Sequence, residues 1–268
     1  MPDVYATITE ADPEVLERLG EIIELRAADP QQAAMREAYF SEIDFPTGAR
    51  VLEVGCGTGP VARALAAWPG VGEVLGADPS PGFVTRAREL AADIGNLGFV
   101  EADGRSLPLA DESFEVVVFH TTLCHVPEPE RALAEARRVL RPGGTLAVFD
   151  GDYVTTTCAN GDFDPLQACV EAAVDFLVHD RWLVRRLLRL VESAGFEPGR
   201  LRSHGYVEAP RAGYMLALVE RGAEALQAAG RVGAETAAAL QEEARRRSDA
   251  GEFFGHIAYA SLLARRPS

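Results

Sequence analysis

A carboxylate and three alternate glycines stand together at residues 53–59, in the order Glu-Val-Gly-Cys-Gly-Thr-Gly. Glycine lets the backbone turn tightly and approach a ligand at a distance where a side chain would collide. Glu53 would repel a pyrophosphate beside this turn, whereas it would attract a ligand that carries an ammonium and a sulfonium. The segment therefore predicts a nucleotide cradle for a partly cationic ligand, formed around Glu53, Gly55, Cys56 and Gly57.

Two further acidic residues follow at the ends of apolar runs. The run from Gly72 to Asp78 reads as a second strand, and it ends in an acid where an adenosine-binding α/β unit has its ribose-binding carboxylate. The segment Phe99–Gly104 reads as a third strand that ends in a second acid, Asp103. Asp78 is therefore expected to accept hydrogen bonds from both ribose hydroxyls of an adenosine ligand.

The next apolar run, Glu115–His120, ends in a histidine, and a second histidine, His125, follows five residues later. A histidine with a pKa near neutrality can remove a proton from a hydroxyl or an amine. His125 is the first candidate for such a general base. The alternative is that His125 orients its loop and that the site works by proximity alone. Further along, Asp150, Asp152 and Tyr153 could line an acceptor pocket, or the two acids could cap a turn.

Alternating strand and helix patterns must position these side chains. Val51–Val54 reads as a buried strand, and Pro60 suits the first position of the helix after it. The near-continuous apolar run that ends at His120 is typical of a parallel strand buried on both faces. A helix over 131–140, an Arg-Pro-Gly-Gly turn and a fifth strand over 145–149 complete the series.

The order of these landmarks over about residues 47 to 150 resembles the class I S-adenosylmethionine-dependent methyltransferases. The segment 120–127, His-Thr-Thr-Leu-Cys-His-Val-Pro, is similar to the loop of the methyltransferase type 11 subfamily that is related to ubiquinone and menaquinone biosynthesis. The resemblance implies a Rossmann-like α/β fold with a seven-stranded, mostly parallel sheet in the order 3-2-1-4-5-7-6. Its last strand is antiparallel, and helices cover both faces.

The same resemblance implies S-adenosylmethionine as the cofactor and S-adenosylhomocysteine as the product. Asp78 and Pro79 would then lie at the ribose, Asp103 and Gly104 at the adenine amino group, and the backbone of His120 at the methionyl part. The residue that faces the methionyl carboxylate is left open among four candidates in the amino-terminal segment: Tyr5, Arg26, Arg36 and Tyr39.

The remaining segments fit one methyltransferase domain over residues 1–268. Residues 1–45 are expected to form a helical cap, with helix starts at Asp12-Pro13 and Asp29-Pro30. Residues 46–150 are the expected cofactor-binding core, and 151–208 hold two substrate-side helices and strand six. Two helices over 209–252 are expected to form a lid inserted before the final strand, which lies within 253–268.

Composition excludes several functional classes. The chain has a formal net charge of -15, which is poorly suited to a nucleic acid backbone. The four cysteines form no Cys-x-x-Cys pair, so neither a metal site nor a disulfide framework is expected. Without a signal peptide or a membrane-length apolar run, the expected location is the cytoplasm, as a monomer or a homodimer.

The leading hypothesis is methyl transfer to an oxygen, nitrogen or carbon atom of a small-molecule acceptor, with secondary metabolism as a suitable setting. The alternative is a protein that keeps the cofactor fold but catalyses another reaction, such as a cyclisation. A relict binding module conflicts with the complete set of motifs. A dehydrogenase is opposed by Pro60, which stands where the dinucleotide fingerprint has a glycine.

Overall fold

The strands form one mixed sheet. The computed structural model describes residues 3, 5 and 7–268. Within this part of the chain the strands are β1 (Ala49–Val54), β2 (Val71–Asp78), β3 (Leu97–Glu101), β4 (Phe114–His120), β5 (Leu140–Thr157), β6 (Glu197–Pro198), β7 (Arg202–Glu208) and β8 (Gly255–Arg265). Their order in the sheet is β3-β2-β1-β4-β5-β8-β6, and β7 also pairs with β8.

The helices pack around this sheet. They are α1 (Pro13–Ala28), α2 (Pro30–Phe40), α3 (Pro60–Ala66), α4 (Pro81–Leu90), α5 (Pro129–Val139), α6 (Pro165–Leu177), α7 (Leu183–Ser193), α8 (Tyr214–Ala228) and α9 (Ala234–Ala250). Short 3-10 turns cover Ile8–Glu10 and Leu123–His125. Helices α8 and α9 lie between β7 and β8 in the chain and pack on α6 and on each other.

Strands β1 to β5 are parallel, and β8 runs antiparallel to β5, as predicted. The apolar run of β4 is buried from Val116 to Phe119. Such burial fits a central parallel strand that is covered on both faces. The predicted Rossmann-like fold class is confirmed. Because the parallel strands share a direction, their carboxyl ends meet along one edge of the sheet.

The number of strands differs from the prediction. The single sixth strand expected within 151–208 is two pieces, because the ladder with β8 is interrupted at residues 199–201 between β6 and β7. The Gly199 N–H donates to the Leu263 carbonyl at 2.8 Å within this interruption. Among the described residues the sheet therefore contains eight strands, although its order matches the predicted one.

Strand β5 is longer than predicted. The sequence indicates an end at Phe149, but the strand continues to Thr157 because Asp150, Gly151 and Asp152 pair with β8. Asp150 and Asp152 therefore lie within a strand rather than in a loop after it.

The two predicted helix starts differ in their capping. The Asp29 side chain accepts hydrogen bonds from the N–H groups of Gln31 and Gln32, while Asp12 makes no such bond. Within the part of the chain that the structure describes, none of the helices combines the length and the apolar character that a bilayer crossing requires.

Candidate active site

The nine residues predicted to bind the cofactor, and the predicted base His125, line one cavity at the carboxyl ends of β1 to β4. The group consists of Glu53, Gly55, Cys56, Gly57, Asp78, Pro79, Asp103, Gly104, His120 and His125. Each follows or ends one of these four strands, which explains how residues so far apart in sequence meet. Tyr5, Ile8 and Thr9, together with residues of α1, α6 and α8, supply much of the remaining lining.

The glycine turn has the backbone that its composition requires. Gly55 and Gly57 have φ angles of +74° and +53°, in the left-handed region that favours glycine. A Cβ atom on Gly55 would lie 2.6 Å from the Thr122 hydroxyl, so the loop after β4 fits only against a glycine. The Gly57 N–H donates to Asp78 Oδ2 at 2.8 Å, which fixes the turn to the end of β2.

Glu53 is a buried acid with an unused oxygen. Its side chain lines the cavity while the residue is 2% exposed, and Oε2 has no hydrogen-bond partner among the described residues. Burial, together with the negative charge of Asp78, raises the pKa of Glu53 to about 8. A buried carboxyl with an unpaired oxygen, on a residue that lines a cavity, fits a cationic group on a ligand.

Asp78 is held rigidly at the end of β2. Its Oδ1 accepts from the Ser80 N–H at 2.9 Å, and its Oδ2 accepts from Gly57. Burial raises the pKa of Asp78 to about 6 despite these two bonds. Each carboxylate oxygen can accept more than one hydrogen bond, so this side chain keeps acceptor capacity for ligand hydroxyls.

Asp103 is already paired within the protein. Arg105 donates to it from Nε, 3.0 Å from Oδ1, and from Nη2, 2.7 Å from Oδ2. This pairing lowers the pKa of Asp103, whose side chain is 43% exposed. Arg105 also lines the cavity, and sequence analysis did not single it out.

His120 is a neutral side chain in a packed environment. Its Nδ1 lies 2.9 Å from the Tyr39 hydroxyl, and its ring stacks on Phe149 at a centroid distance of 4.6 Å. Burial and the nearby Arg26 and Arg36 hold the pKa of His120 well below its usual range. These contacts give the His120 side chain a packing role at the edge of the cavity.

His125 is paired with a residue from the start of the chain. Its Nδ1 lies 2.8 Å from Asp3 Oδ2, and the same oxygen accepts from the His179 N–H at 2.8 Å. The Tyr5 ring packs on the imidazole at 4.6 Å between centroids. Asp3 is 122 positions away in sequence, so no local pattern could have indicated this pair.

Two of the four candidates for the methionyl carboxylate, Arg26 and Tyr5, line the cavity. Arg26 donates from Nη2 to the Thr121 hydroxyl at 2.6 Å, just beyond β4. Arg36 donates instead to the Ala27 carbonyl at 3.4 Å, and Tyr39 bonds to His120.

Helix α1 is tied to the glycine turn through Glu24. This carboxylate accepts from the Thr58 hydroxyl and from Arg63 Nη2, each at 2.6 Å. The helix that presents Arg26 is therefore fixed against the turn that follows β1.

The part of the lining around α6 and α8 is mainly apolar and aromatic. It consists of Tyr153, Val174, Leu177, Val178, Tyr214, Ala217 and Leu218, with Arg221 as its charged member. Asp150 and Asp152, the other pocket candidates, do not line the cavity. Asp150 accepts from the Cys124 N–H at 3.2 Å and so anchors the loop after β4, while Asp152 pairs with Arg185 at 3.2 Å.

No cluster of three or more acidic, histidine or cysteine side chains suited to a metal ion occurs among the residues described. All four cysteines are buried and unbridged. The cavity therefore combines backbone turns, carboxylates, arginines and an apolar wall, a set that suits a polar organic ligand beside a more apolar one.

Comparison with known proteins gives matches in sequence and in structure. A family model described as a methyltransferase domain matches residues 52–148. The demethylmenaquinone methyltransferase of Staphylococcus aureus (strain JH9) is 32% identical over 214 residues, which cover 74% of this chain and 87% of that protein. The chain spans about half the length of the first curated relatives it matches.

Solved structures that superpose on this chain include a methyltransferase. A candidate methyltransferase from Bacillus halodurans C-125 superposes with a TM-score of 0.61 at 25% identity, covering 86% of this chain and 98% of that one. The [4+2]-cyclase SpnF has a TM-score of 0.57 at 26% identity, and the match covers 88% of this chain and 82% of that one.

Proposed function

The chain belongs to the class I S-adenosylmethionine-dependent methyltransferases, and on that premise we propose that it methylates an oxygen, nitrogen or carbon atom of a small-molecule acceptor. The observation that carries this proposal is the buried Glu53 carboxyl: the residue is part of the cavity lining, and its Oε2 lacks a partner among the described residues. An ammonium or a sulfonium would supply the missing charge. A pyrophosphate-bearing cofactor would be repelled at the same position.

The cavity residues divide into groups that would hold the parts of the cofactor. Asp78 would accept the ribose hydroxyls, and Asp103 would accept the adenine amino group beside Gly104. Arg26 would pair with the methionyl carboxylate, and Glu53 would face the cationic end. When bound, S-adenosylmethionine supplies an electrophilic methyl group attached to a sulfonium.

The protein's own contribution is positioning and the exclusion of water. Helices α6 and α8 line the cavity with mainly apolar side chains, so an acceptor bound against them would be desolvated and aligned. His125 would remove the proton from a hydroxyl or amine acceptor as the new bond forms. The acceptor is proposed to be small and largely apolar, a class to which the quinone precursor in the name of the Staphylococcus aureus relative also belongs.

The test is a methyl-transfer assay with S-adenosylmethionine labelled in its methyl group. Purified protein is incubated with pools of small apolar alcohols, phenols, amines and quinone precursors, and organic extracts are analysed for label. Labelled product with equal release of S-adenosylhomocysteine would support the proposal. The structural neighbour SpnF is named a cyclase, so a product formed without label or S-adenosylhomocysteine would favour the cyclisation alternative.

Replacing Asp78 with asparagine should weaken cofactor binding. The amide side chain would keep one oxygen acceptor for the Gly57 N–H, but the ribose hydroxyls would lose a charged acceptor. We expect Asp78→Asn to reduce the affinity for S-adenosylmethionine by about 1–3 kcal/mol. Calorimetric titration with S-adenosylmethionine, S-adenosylhomocysteine and NAD measures the change. Unchanged affinity would remove Asp78 from the cofactor site, and a preference for NAD would contradict the proposed function.

Arg26→Gln should also weaken binding, through loss of the partner of the methionyl carboxylate. We expect a reduction of about 1–3 kcal/mol for S-adenosylmethionine, and a much smaller one for adenosine, which has no carboxylate. The control is Arg18→Gln on the same helix, because Arg18 is exposed and pairs with Glu224 at 2.9 Å outside the cavity. Equal losses for S-adenosylmethionine and adenosine would contradict the assignment of Arg26.

A further inference from the structure

The contact between Asp3 and His125 joins the start of the chain to the loop after β4. The Asp3 side chain is 1% exposed and that of His125 is 15% exposed, so the pair is shielded from solvent. Asp3 Oδ2 lies 2.8 Å from both His125 Nδ1 and the His179 backbone nitrogen. A single carboxylate therefore fixes the imidazole and, through His179, the segment between α6 and α7.

This geometry determines which ring nitrogen of His125 carries the proton. A carboxylate oxygen accepts hydrogen bonds, so the proton of a neutral His125 ring is placed on Nδ1. Nε2 is then the unprotonated nitrogen, and His125 lines the cavity. An imidazole with this tautomer can accept a proton through Nε2 without first rearranging.

We propose that Asp3 is a positioning residue for His125, holding the tautomer and ring orientation that a general base requires. The positioning of His125 by Asp3 does not depend on the proposed methyl transfer. Only the use of His125 as a general base rests on that proposed function. The same arrangement, a buried carboxylate on Nδ1 and a free Nε2, holds the base in hydrolytic triads on unrelated folds. Here the carboxylate comes from Asp3, so the proposed base has its partner only when Asp3 is seated against His125.

Contacts of the residues that follow Asp3 support its role as a positioning residue. Tyr5 packs on the His125 ring and lines the cavity, and the 3-10 turn that follows contributes Ile8 and Thr9 to the same wall. Asp3 Oδ1 accepts from the Tyr5 N–H at 2.9 Å, so each oxygen of this carboxylate is used. The start of the chain thus supplies both part of the cavity lining, through Tyr5, Ile8 and Thr9, and the partner of the proposed base, Asp3.

The experiment is nitrogen NMR on the full chain labelled at its histidine ring nitrogens. Five histidines are present, and the resonances of His125 are assigned by their loss in His125→Gln. In the unaltered protein we expect Nδ1 to be protonated and Nε2 to be unprotonated. Asp3→Ala leaves no acceptor at Nδ1, so the Nδ1-protonated tautomer should no longer predominate. Asp3→Glu keeps a carboxylate and should keep this tautomer, and Asp12→Ala, at an exposed acid without a capping bond, should change nothing.

Two results would overturn the proposal: an unprotonated Nδ1 in the unaltered protein, or an unchanged tautomer in Asp3→Ala. The first needs no change at position 3, so the proposal stays testable even if Asp3→Ala folds poorly. With an acceptor from the labelled screen, kcat of Asp3→Ala should fall about 100-fold or more with little change in KM. Because the NMR measurement needs no turnover, failure of methyl transfer and failure of the Asp3 assignment would be seen separately.

Discussion

Glu53→Gln is expected to make the protein without ligand more stable above about pH 8, and to weaken its binding of S-adenosylmethionine. Burial and the neighbouring Asp78 raise the pKa of Glu53 from 4.5 to about 8. The carboxyl therefore holds its proton more tightly in the folded chain than in the unfolded one. The stability that Glu53 contributes is present below about pH 4.5 and is lost as the pH rises through about 8.

A neutral amide at position 53 removes this pH-dependent loss. The glutamine side chain also destabilises the folded protein, because its buried NH2 group lacks a partner. We therefore expect the free energy of unfolding to rise by about 2 kcal/mol at pH 9. Urea unfolding at pH 5 and pH 9 measures the difference between the two proteins. The exposed Glu101 at the end of β3 provides the control, because Glu101→Gln should have the same free energy of unfolding as the unaltered protein at both pH values.

Cofactor binding should change in the opposite direction. The cationic end of S-adenosylmethionine favours ionised Glu53, so affinity in the unaltered protein should rise with pH up to about 8, with release of a proton on binding. Glu53→Gln should bind roughly 10- to 100-fold more weakly and lose this pH dependence. If affinity and its pH dependence were the same in both proteins, Glu53 would not face the cation.

Gly222→Ala is expected to lower the free energy of unfolding by about 2–3 kcal/mol. A Cβ atom on Gly222 in α8 would overlap the Cys169 carbonyl of α6. Because that carbonyl is backbone, the clash cannot be relieved by rotating a side chain, and the two helices must separate. Urea unfolding measures the loss, and hydrogen exchange should show weaker protection along α8 than in the unaltered protein.

The matched control for this substitution is Gly233→Ala. Gly233 precedes α9 with a φ of -79°, and no atom lies within 4 Å of a Cβ built there. We expect its effect to stay within about 0.5 kcal/mol. Since α8 presents Tyr214, Leu218 and Arg221 to the cavity, Gly222→Ala should also impair acceptor methylation more than cofactor binding. A Gly222→Ala protein as stable as its control would contradict the close crossing of α6 and α8.

Local sequence patterns determined the fold class and the cofactor side of the candidate site. Alternating strands and helices predicted the parallel sheet, and the glycine turn after β1 predicted a close backbone approach. The acids Asp78 and Asp103 were found because each ends an apolar run. These features depend on neighbouring residues, on strand direction and on turn chemistry, all of which can be read along the chain.

Only the tertiary structure decided which distant side chains meet. Asp3 contacts His125 across 122 positions of sequence, and Arg26 on α1 lines the cavity, whereas Arg36 on α2 donates to the Ala27 carbonyl. The extension of β5 likewise depends on pairing with β8, a strand far along the chain. Such contacts form when helices and strands pack, and the spacing of residues along a chain carries no signal for them.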